Sequence, residues 1–309
     1  MGRLIAVVNQ KGGVGKTTTV VHLAAALVEA GRSVLTVDLD PQASLTIWSG
    51  WEPDELPETV YHGLVGRERV RLMQAAGQLA VAKSGPRRSS AAPTDENPSS
   101  VPEDTVPVTE VIRSSPAGYD LVPASAELAL AEMDLVNMVA RERRLALLLA
   151  PVRELYDYVF VDCEPSLGLL TINALAAADE ILIPVSCEFL AWRALEVLFR
   201  MVGRVRLELN SRLRLAGILP TMYDPRTRHS REIVERLYSQ RANGLRVLEP
   251  PVHRSVRFQE AAEARRSVLQ YAPDVPGAAA YRAAAAAVDA LPPVRLPTRK
   301  NLIEAAGRP

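Results

Sequence analysis

The chain has 309 residues, of which 48% are hydrophobic, 23% charged and 5% aromatic, and its 36 basic and 36 acidic residues cancel. These values argue against a disordered chain, and no run of about 18 apolar residues marks a membrane span. Two cysteines, Cys163 and Cys187, lack metal-ligand spacing and speak against a disulfide framework.

Leu4–Val8 is a short apolar run without polar alternation, as expected of a strand buried on both faces in a parallel sheet. A glycine-rich turn follows, and then a helix is predicted over 16–30, with Leu23, Ala26, Leu27 and Ala30 on one face and Gly31 as its stop. A second buried strand, 33–37, ends in Asp38, so the order implies a right-handed βαβ crossover. Residues 83–107 are rich in serine and proline without periodicity and read as a flexible surface insertion. Strands are then predicted at 119–122, 158–161, 180–185, 213–219 and 245–248. Helices are predicted at 141–155, 169–178, 191–207, 230–240 and 276–291. This alternation predicts a doubly wound, mostly parallel α/β sheet flanked by helices. One domain is expected over 1–292, followed by a tail rich in proline and arginine at 293–309. The N-terminal residues carry no signal-peptide cleavage site, which points to a cytoplasmic protein.

The zero net charge hides an asymmetry. Between Arg193 and Arg266 there are sixteen arginines, eight acids and no lysine. Such a region can attract a polyanion, although single arginines also serve to solvate helix faces. Lysine is scarce: Lys11, Lys16, Lys83 and Lys300 are all there are. Two of the four within six residues point to a chemical demand.

Those two lie in Gln10-Lys11-Gly12-Gly13-Val14-Gly15-Lys16-Thr17-Thr18, between the first strand and the first helix. Nucleotide phosphates need many hydrogen-bond donors in a small volume. Glycines let backbone N–H groups curl inward, and the helix N-terminus adds positive potential. Gly12, Gly13, Val14, Gly15, Lys16, Thr17 and Thr18 are therefore the candidate nucleotide cradle. Lys16 is placed to reach the β- and γ-phosphates and Thr17 to ligate Mg²⁺. Gln10 stands where the standard pattern has glycine. Acidic residues at neighbouring strand ends are expected beside such a loop, and two places qualify: Asp38-Leu39-Asp40-Pro41-Gln42, and Asp162 after Val159-Phe160-Val161.

Lys-Gly-Gly-Val-Gly-Lys-Thr-Thr resembles the deviant Walker A motif of the ParA/MinD family of P-loop ATPases, whose signature is the extra lysine, here Lys11. The resemblance implies that Lys11 reaches the phosphates held by a second subunit, so that an ATP-dependent homodimer encloses two ATP molecules. It also implies that Asp40 orients the attacking water, that Asp38 supports the Mg²⁺ shell and that Asp162 is the Walker B carboxylate. The stretch Asp162-Cys163-Glu164-Pro165-Ser166 is similar to the partition branch, except that Glu164 replaces a proline. Asp-Leu-Val-Pro-Ala-Ser (120–125), Pro-Val-Ser-Cys-Glu (184–188) and Thr-Met-Tyr-Asp-Pro-Arg-Thr (221–227) resemble Soj-type chromosomal ParA. The P-loop begins at once, as in the short form without an N-terminal DNA-reading domain.

That resemblance implies nonspecific double-stranded DNA as a partner, contacted by Arg226, Arg254 and Arg257. It implies a ParB-like centromere-binding protein as the stimulator of hydrolysis, and a nucleoid-associated location. Met222 and Pro250 are expected to line the adenine pocket. Two alternatives share the chemistry. One is a MinD-like protein held to membrane by a C-terminal amphipathic helix, disfavoured by Pro297 and the Gly-Arg-Pro terminus. The other is a relative that positions a protein cargo over the nucleoid.

Overall fold

The computed structural model describes residues 2–67, 70, 105–188, 191–290, 292 and 296. Among them seven strands form: β1 (Arg3–Val7), β2 (Val34–Leu39), β3 (Arg113–Ser114), β4 (Asp120–Val122), β5 (Tyr158–Cys163), β6 (Glu180–Ser186) and β7 (Arg214–Thr221). Their order is β3-β4-β2-β5-β1-β6-β7. Every pairing is parallel except that of β3 with β4, so the expected mostly parallel α/β sheet is what forms.

The period of two along each strand divides the core. Leu4, Ala6, Leu35, Val37, Val159, Val161, Ile181 and Ile183 point to one face and join the helices Leu169–Ala177 and Ala191–Glu208. Ile5, Val7, Val34, Phe160, Leu182 and Ala216 point to the other and join Lys16–Glu29 and Pro276–Ala290. Both faces of the sheet are thus covered, which is why its central strands read as unbroken apolar runs. Strand order reverses around β1, with β2 reached on one side and β6 on the other. The loop after β1 therefore opens into the crevice where such sheets take ligands.

The structure corrects several boundaries. The helix expected over 141–155 is a 3-10 turn (Arg141–Arg143), a short α-helix (Arg144–Leu149) and a second 3-10 turn (Arg153–Leu155). Pro151 has no N–H to continue the α-helix beyond Ala150. The strand expected over 245–248 makes a single bridge, Val247 beside Ile218, with two hydrogen bonds of 2.8 Å to Ile218. The antiparallel β3 was not expected. Residues 71–104 of the chain, which include most of the serine- and proline-rich segment, lie outside the described residues, as does the tail apart from Leu296. No helix among the described residues is long and apolar enough to cross a membrane.

Candidate functional site: a phosphate loop between two buried carboxylates and an aromatic pocket

The loop from Asn9 to Gly15 leaves β1 and enters the Lys16–Glu29 helix. Gly13 and Gly15 sit at φ 72° and 84°, a region that side chains with a Cβ avoid. Gly15 starts the helix with no side-chain cap, and no acidic residue occupies the first turn. The helix therefore begins with free N–H groups and uncompensated positive potential, the condition for holding an anion. Lys16 is buried at this point, while Thr17 and Thr18 are half-buried. Two contacts fix the loop from below. Asn9 donates to Pro184 O at 2.7 Å and accepts from the Lys11 N–H at 3.0 Å, and the Thr221 hydroxyl donates to Val14 O at 2.8 Å. Neither residue was singled out from sequence, because each acts by tying the loop to β6 or β7.

The register puts Asp38 directly opposite Asp162 on adjacent strands. Both are buried. Burial pushes Asp38 up to about 7, against the bonds it accepts. Its Oδ2 accepts from the Thr46 N–H at 2.8 Å and the Thr46 hydroxyl at 2.7 Å, and its Oδ1 from the Asp40 N–H at 3.2 Å. Asp38 is thus a positioning residue that anchors the Asp40–Thr46 turn. Asp162 differs: neither of its oxygens has a hydrogen-bond partner. Burial first, and then the Asp38 charge, raises its pKa well above the usual carboxylate range, with Thr17 and Lys16 offsetting only part. A buried carboxylate with two orphaned oxygens beside a lysine and a threonine hydroxyl fits a divalent cation that arrives with a phosphate. No cluster of three or more His, Cys, Asp or Glu able to hold a metal occurs among the described residues. Such an ion would draw its remaining ligands from nucleotide and water.

Asp40 is half-buried, and its Oδ1 accepts from the Gln42 N–H at 2.9 Å. Glu164 stands nearby: its Oε1 accepts from the Ser166 hydroxyl at 2.5 Å. Burial raises its pKa, Ser166 opposes this, and the Glu132 and Asp40 charges add to it. Lys11 extends over the ends of β6, with its Nζ 2.5 Å from Glu188 Oε2 and 3.3 Å from Ser186 Oγ. Its ammonium holds Glu188 below the ordinary glutamate range.

Beyond the loop lies a cavity of about 470 Å³, walled by Gly15, Thr18, Met222, Val252, His253 and Arg254 and floored by Trp48, Phe258 and Tyr281. Met222, expected beside an adenine base, lies in this wall. Pro250 is exposed and is not part of the wall, which Val252 and His253 form instead. The three aromatic residues were not anticipated. They meet across the buried His22, which stacks on Tyr281 at 4.9 Å and meets Trp48 and Phe258 edge-on. His22 Nδ1 lies 2.5 Å from Thr18 O and its Nε2 accepts from the Val268 N–H at 2.9 Å, which assigns the neutral Nδ1–H tautomer. Burial lowers its pKa to about 4.

Of the arginines assigned to DNA, Arg226 and Arg254 line the outer part of this cavity. Arg226 is clamped by Asp224 through bonds of 2.9 and 2.8 Å, and Arg257 by Glu260 at 2.6 Å.

Residues 2–215 match the AAA domain family, in its branch numbered 31. An uncharacterized protein of Mycobacterium tuberculosis is 41% identical over 92% of this chain and 77% of its own length. The sporulation initiation inhibitor protein Soj of Bacillus subtilis is 36% identical over 91% of this chain and 96% of its own. Among solved structures, a protein from Mycobacterium smegmatis named cobyrinic acid a,c-diamide synthase, with bound ADP and magnesium, shares 36% identity over 91% of both chains at a TM-score of 0.68. With its uncapped P-loop helix, its signature Lys11 and likeness of this extent, the chain belongs to the ParA/MinD family of P-loop ATPases.

Proposed function

We propose that this protein is a partition ATPase that moves DNA, a chromosome or a plasmid, through an ATP-dependent DNA-binding cycle. The observation that supports it most is the orphaned Asp162 beside Lys16 and Thr17, in a chain 36% identical to Soj. ATP binds with its phosphates against the backbone from Gly12 to Thr18 and its base in the cavity beside Met222 and Val252. Thr17 and Asp162 hold Mg²⁺, with Asp38 behind Asp162. When bound, the ion neutralises phosphate charge. Lys16 binds the β- and γ-phosphates. Asp40, free on one oxygen, orients the attacking water. Lys11 leaves Glu188 to reach the phosphates of a second subunit, which closes a homodimer around two ATP molecules. Arg226, Arg254 and Arg257 then meet phosphate backbones without reading sequence. A ParB-like partner stimulates hydrolysis and releases the dimer.

The test measures ATP turnover and duplex binding with ATP, ADP or no nucleotide, at two salt concentrations and beside a liposome control. Wild type is compared with Lys16→Ala and Arg254→Ala. A salt-sensitive gain in DNA binding with ATP that Lys16→Ala abolishes and Arg254→Ala weakens supports the reading. Nucleotide binding without DNA binding sinks it, and liposome binding instead favours the membrane alternative. The name of the Mycobacterium smegmatis protein suggests a second reading, ATP-driven amide formation. That reading requires turnover to wait for an acceptor acid and an amine donor, so turnover on ATP alone counts against it.

A further inference from the structure

Eleven of the 25 arginines among the described residues are held by a carboxylate. Arg3, Arg32, Arg67, Arg141, Arg153, Arg226, Arg228, Arg241, Arg257, Arg265 and Arg282 each pair with a carboxylate. The segment 193–214 breaks this habit. It holds six arginines, Arg193, Arg200, Arg204, Arg206, Arg212 and Arg214, against two acids, Glu196 and Glu208. None of the six has a carboxylate or other hydrogen-bond partner for its side chain among the described residues, and neither glutamate pairs with them.

Their placement is ordered. On the Ala191–Glu208 helix, Arg193, Arg200 and Arg204 are all exposed, and spacings of seven and eleven residues bring them round two and three full turns to one face. The opposite face holds the helix to the sheet through Leu195, Leu198, Val202 and Val205. That stripe is about 16 Å long at ~1.5 Å per residue. Where the helix ends, Arg206, Ser211, Arg212, Leu213 and Arg214 surround a recess of about 200 Å³. Arg206 Nε is buried there with no partner. The recess lies at the start of β7, whereas the far end of β7, at Thr221, touches the P-loop. It is therefore roughly 23 Å from the nucleotide loop, at ~3.3 Å per strand residue.

We propose that these six arginines form a second DNA-backbone surface, separate from Arg226, Arg254 and Arg257, that acts without nucleotide. Uncompensated guanidiniums crowded along one edge repel one another, and an array of oxyanions at matching density relieves that repulsion. Duplex DNA offers such an array, with one charge per ~1.7 Å of axis and about ten phosphates along a 16 Å stripe. The half-buried recess, with three guanidiniums and the Ser211 hydroxyl, is the best-formed seat for a single phosphoryl group in it. Because the whole tract belongs to one chain, neither ATP nor a second subunit is needed to assemble it. Basal affinity for DNA is thus built in, and ATP adds to it. The inference rests on the DNA reading above.

The experiment titrates wild type, R200Q/R204Q/R212Q/R214Q and the matching lysine variant with a random-sequence duplex, without nucleotide and with ATP, over a salt series. ATP turnover in the absence of DNA serves as the fold control, since none of the four lies at the nucleotide. Wild type is expected to bind without nucleotide at low salt. The glutamine variant is expected to bind at least about tenfold more weakly and to lower the salt slope by about 3, and the lysine variant to keep most of that slope. A glutamine variant with the wild-type slope, or wild-type binding that appears only with ATP, overturns the tract and leaves the partition reading standing. Wild type that binds DNA in no nucleotide state overturns both. A fourth arm measures protection against heat by inorganic phosphate. If the glutamine variant loses that protection yet binds DNA as wild type does, the recess takes a small phosphorylated ligand and the DNA assignment falls.

Discussion

The two ends of the central sheet handle charge in opposite ways. Where β1 and β6 begin, in the middle of the sheet, charges are matched inside the fold, unlike at the start of the outer strand β7 with its open arginine recess. Arg3 grips the buried Glu180 with bonds of 2.7 and 2.8 Å, Arg153 pairs with Asp179, and Asp179 also accepts from the Leu4 N–H at 2.8 Å. Where the strands end, charges are left open. Asp162 has no hydrogen bond, Asp38 opposite it carries a raised pKa, and the helix behind Lys16 starts without a cap. Matched charges hold β1, β6 and the turn before β5 in place, whereas open ones lower stability until something binds. The same residue types therefore do structural work at one end and wait for a ligand at the other.

Removing a matched charge breaks the comparison most sharply. Arg3→Ala leaves Glu180, only 2% exposed, without its cation. It is expected to cost about 3–5 kcal/mol in denaturant unfolding, with nucleotide affinity unchanged at a temperature where the variant is folded. A loss below 1 kcal/mol would mean that this end is not the stabilising one.

The open end is next tested by pH. The folded pKa of His22 is lowered to about 4, so the unfolded chain takes up the proton first. Its contribution is intact above ~6.5 and is lost as pH falls from ~6.5 towards 4, by about 3 kcal/mol in all. Asp38 acts with the opposite sign, because its raised pKa favours the folded state as pH falls from about 7 towards 3.8. The two oppose one another over most of the range, so the effect is read as a difference. The unfolding free energy of His22→Gln, subtracted from that of wild type, should slope by about one proton between pH 6 and 4.5. Parallel curves would contradict the burial of a neutral imidazole.

The smallest expected change in stability has an unusual sign. Asp162→Asn removes one of two facing buried carboxylates, so the nucleotide-free protein should gain about 1–2 kcal/mol in denaturant unfolding. Mg²⁺-dependent nucleotide affinity should fall at least about tenfold in equilibrium binding. A variant less stable than wild type would show that Asp162 is held by the fold and is not an open charge.

What sequence made legible follows the same division. The phosphate loop and the strand-end aspartates are contiguous motifs, and the register Asp38–Asp162 follows once two buried strands are adjacent. The cavity beside the phosphate loop was only half legible. Trp48 stands more than 200 residues from Phe258 and Tyr281 along the chain, and the three meet only around His22, so no local pattern announces them. Leu245–Leu248 has the composition of a strand, but it lies at the open edge of β7 and pairs at one residue alone. The basic segment was visible as a count. Which arginines are neutralised depends on carboxylates brought near by folding, as with Arg265 and Glu52.

The contact between Lys11 and Glu188 carries a consequence for timing. A lysine that serves a second subunit must first give up the carboxylate of its own chain, 2.5 Å away. Until then Glu188 occupies the ammonium much as a phosphate oxygen would, and the solitary chain is its own competitor. Assembly is then an exchange of one anion for another, graded by what the nucleotide presents. On the proposed function, three phosphates would outbid a single carboxylate by more than two do, so ATP would be told from ADP when two subunits meet as well as when the nucleotide is first bound.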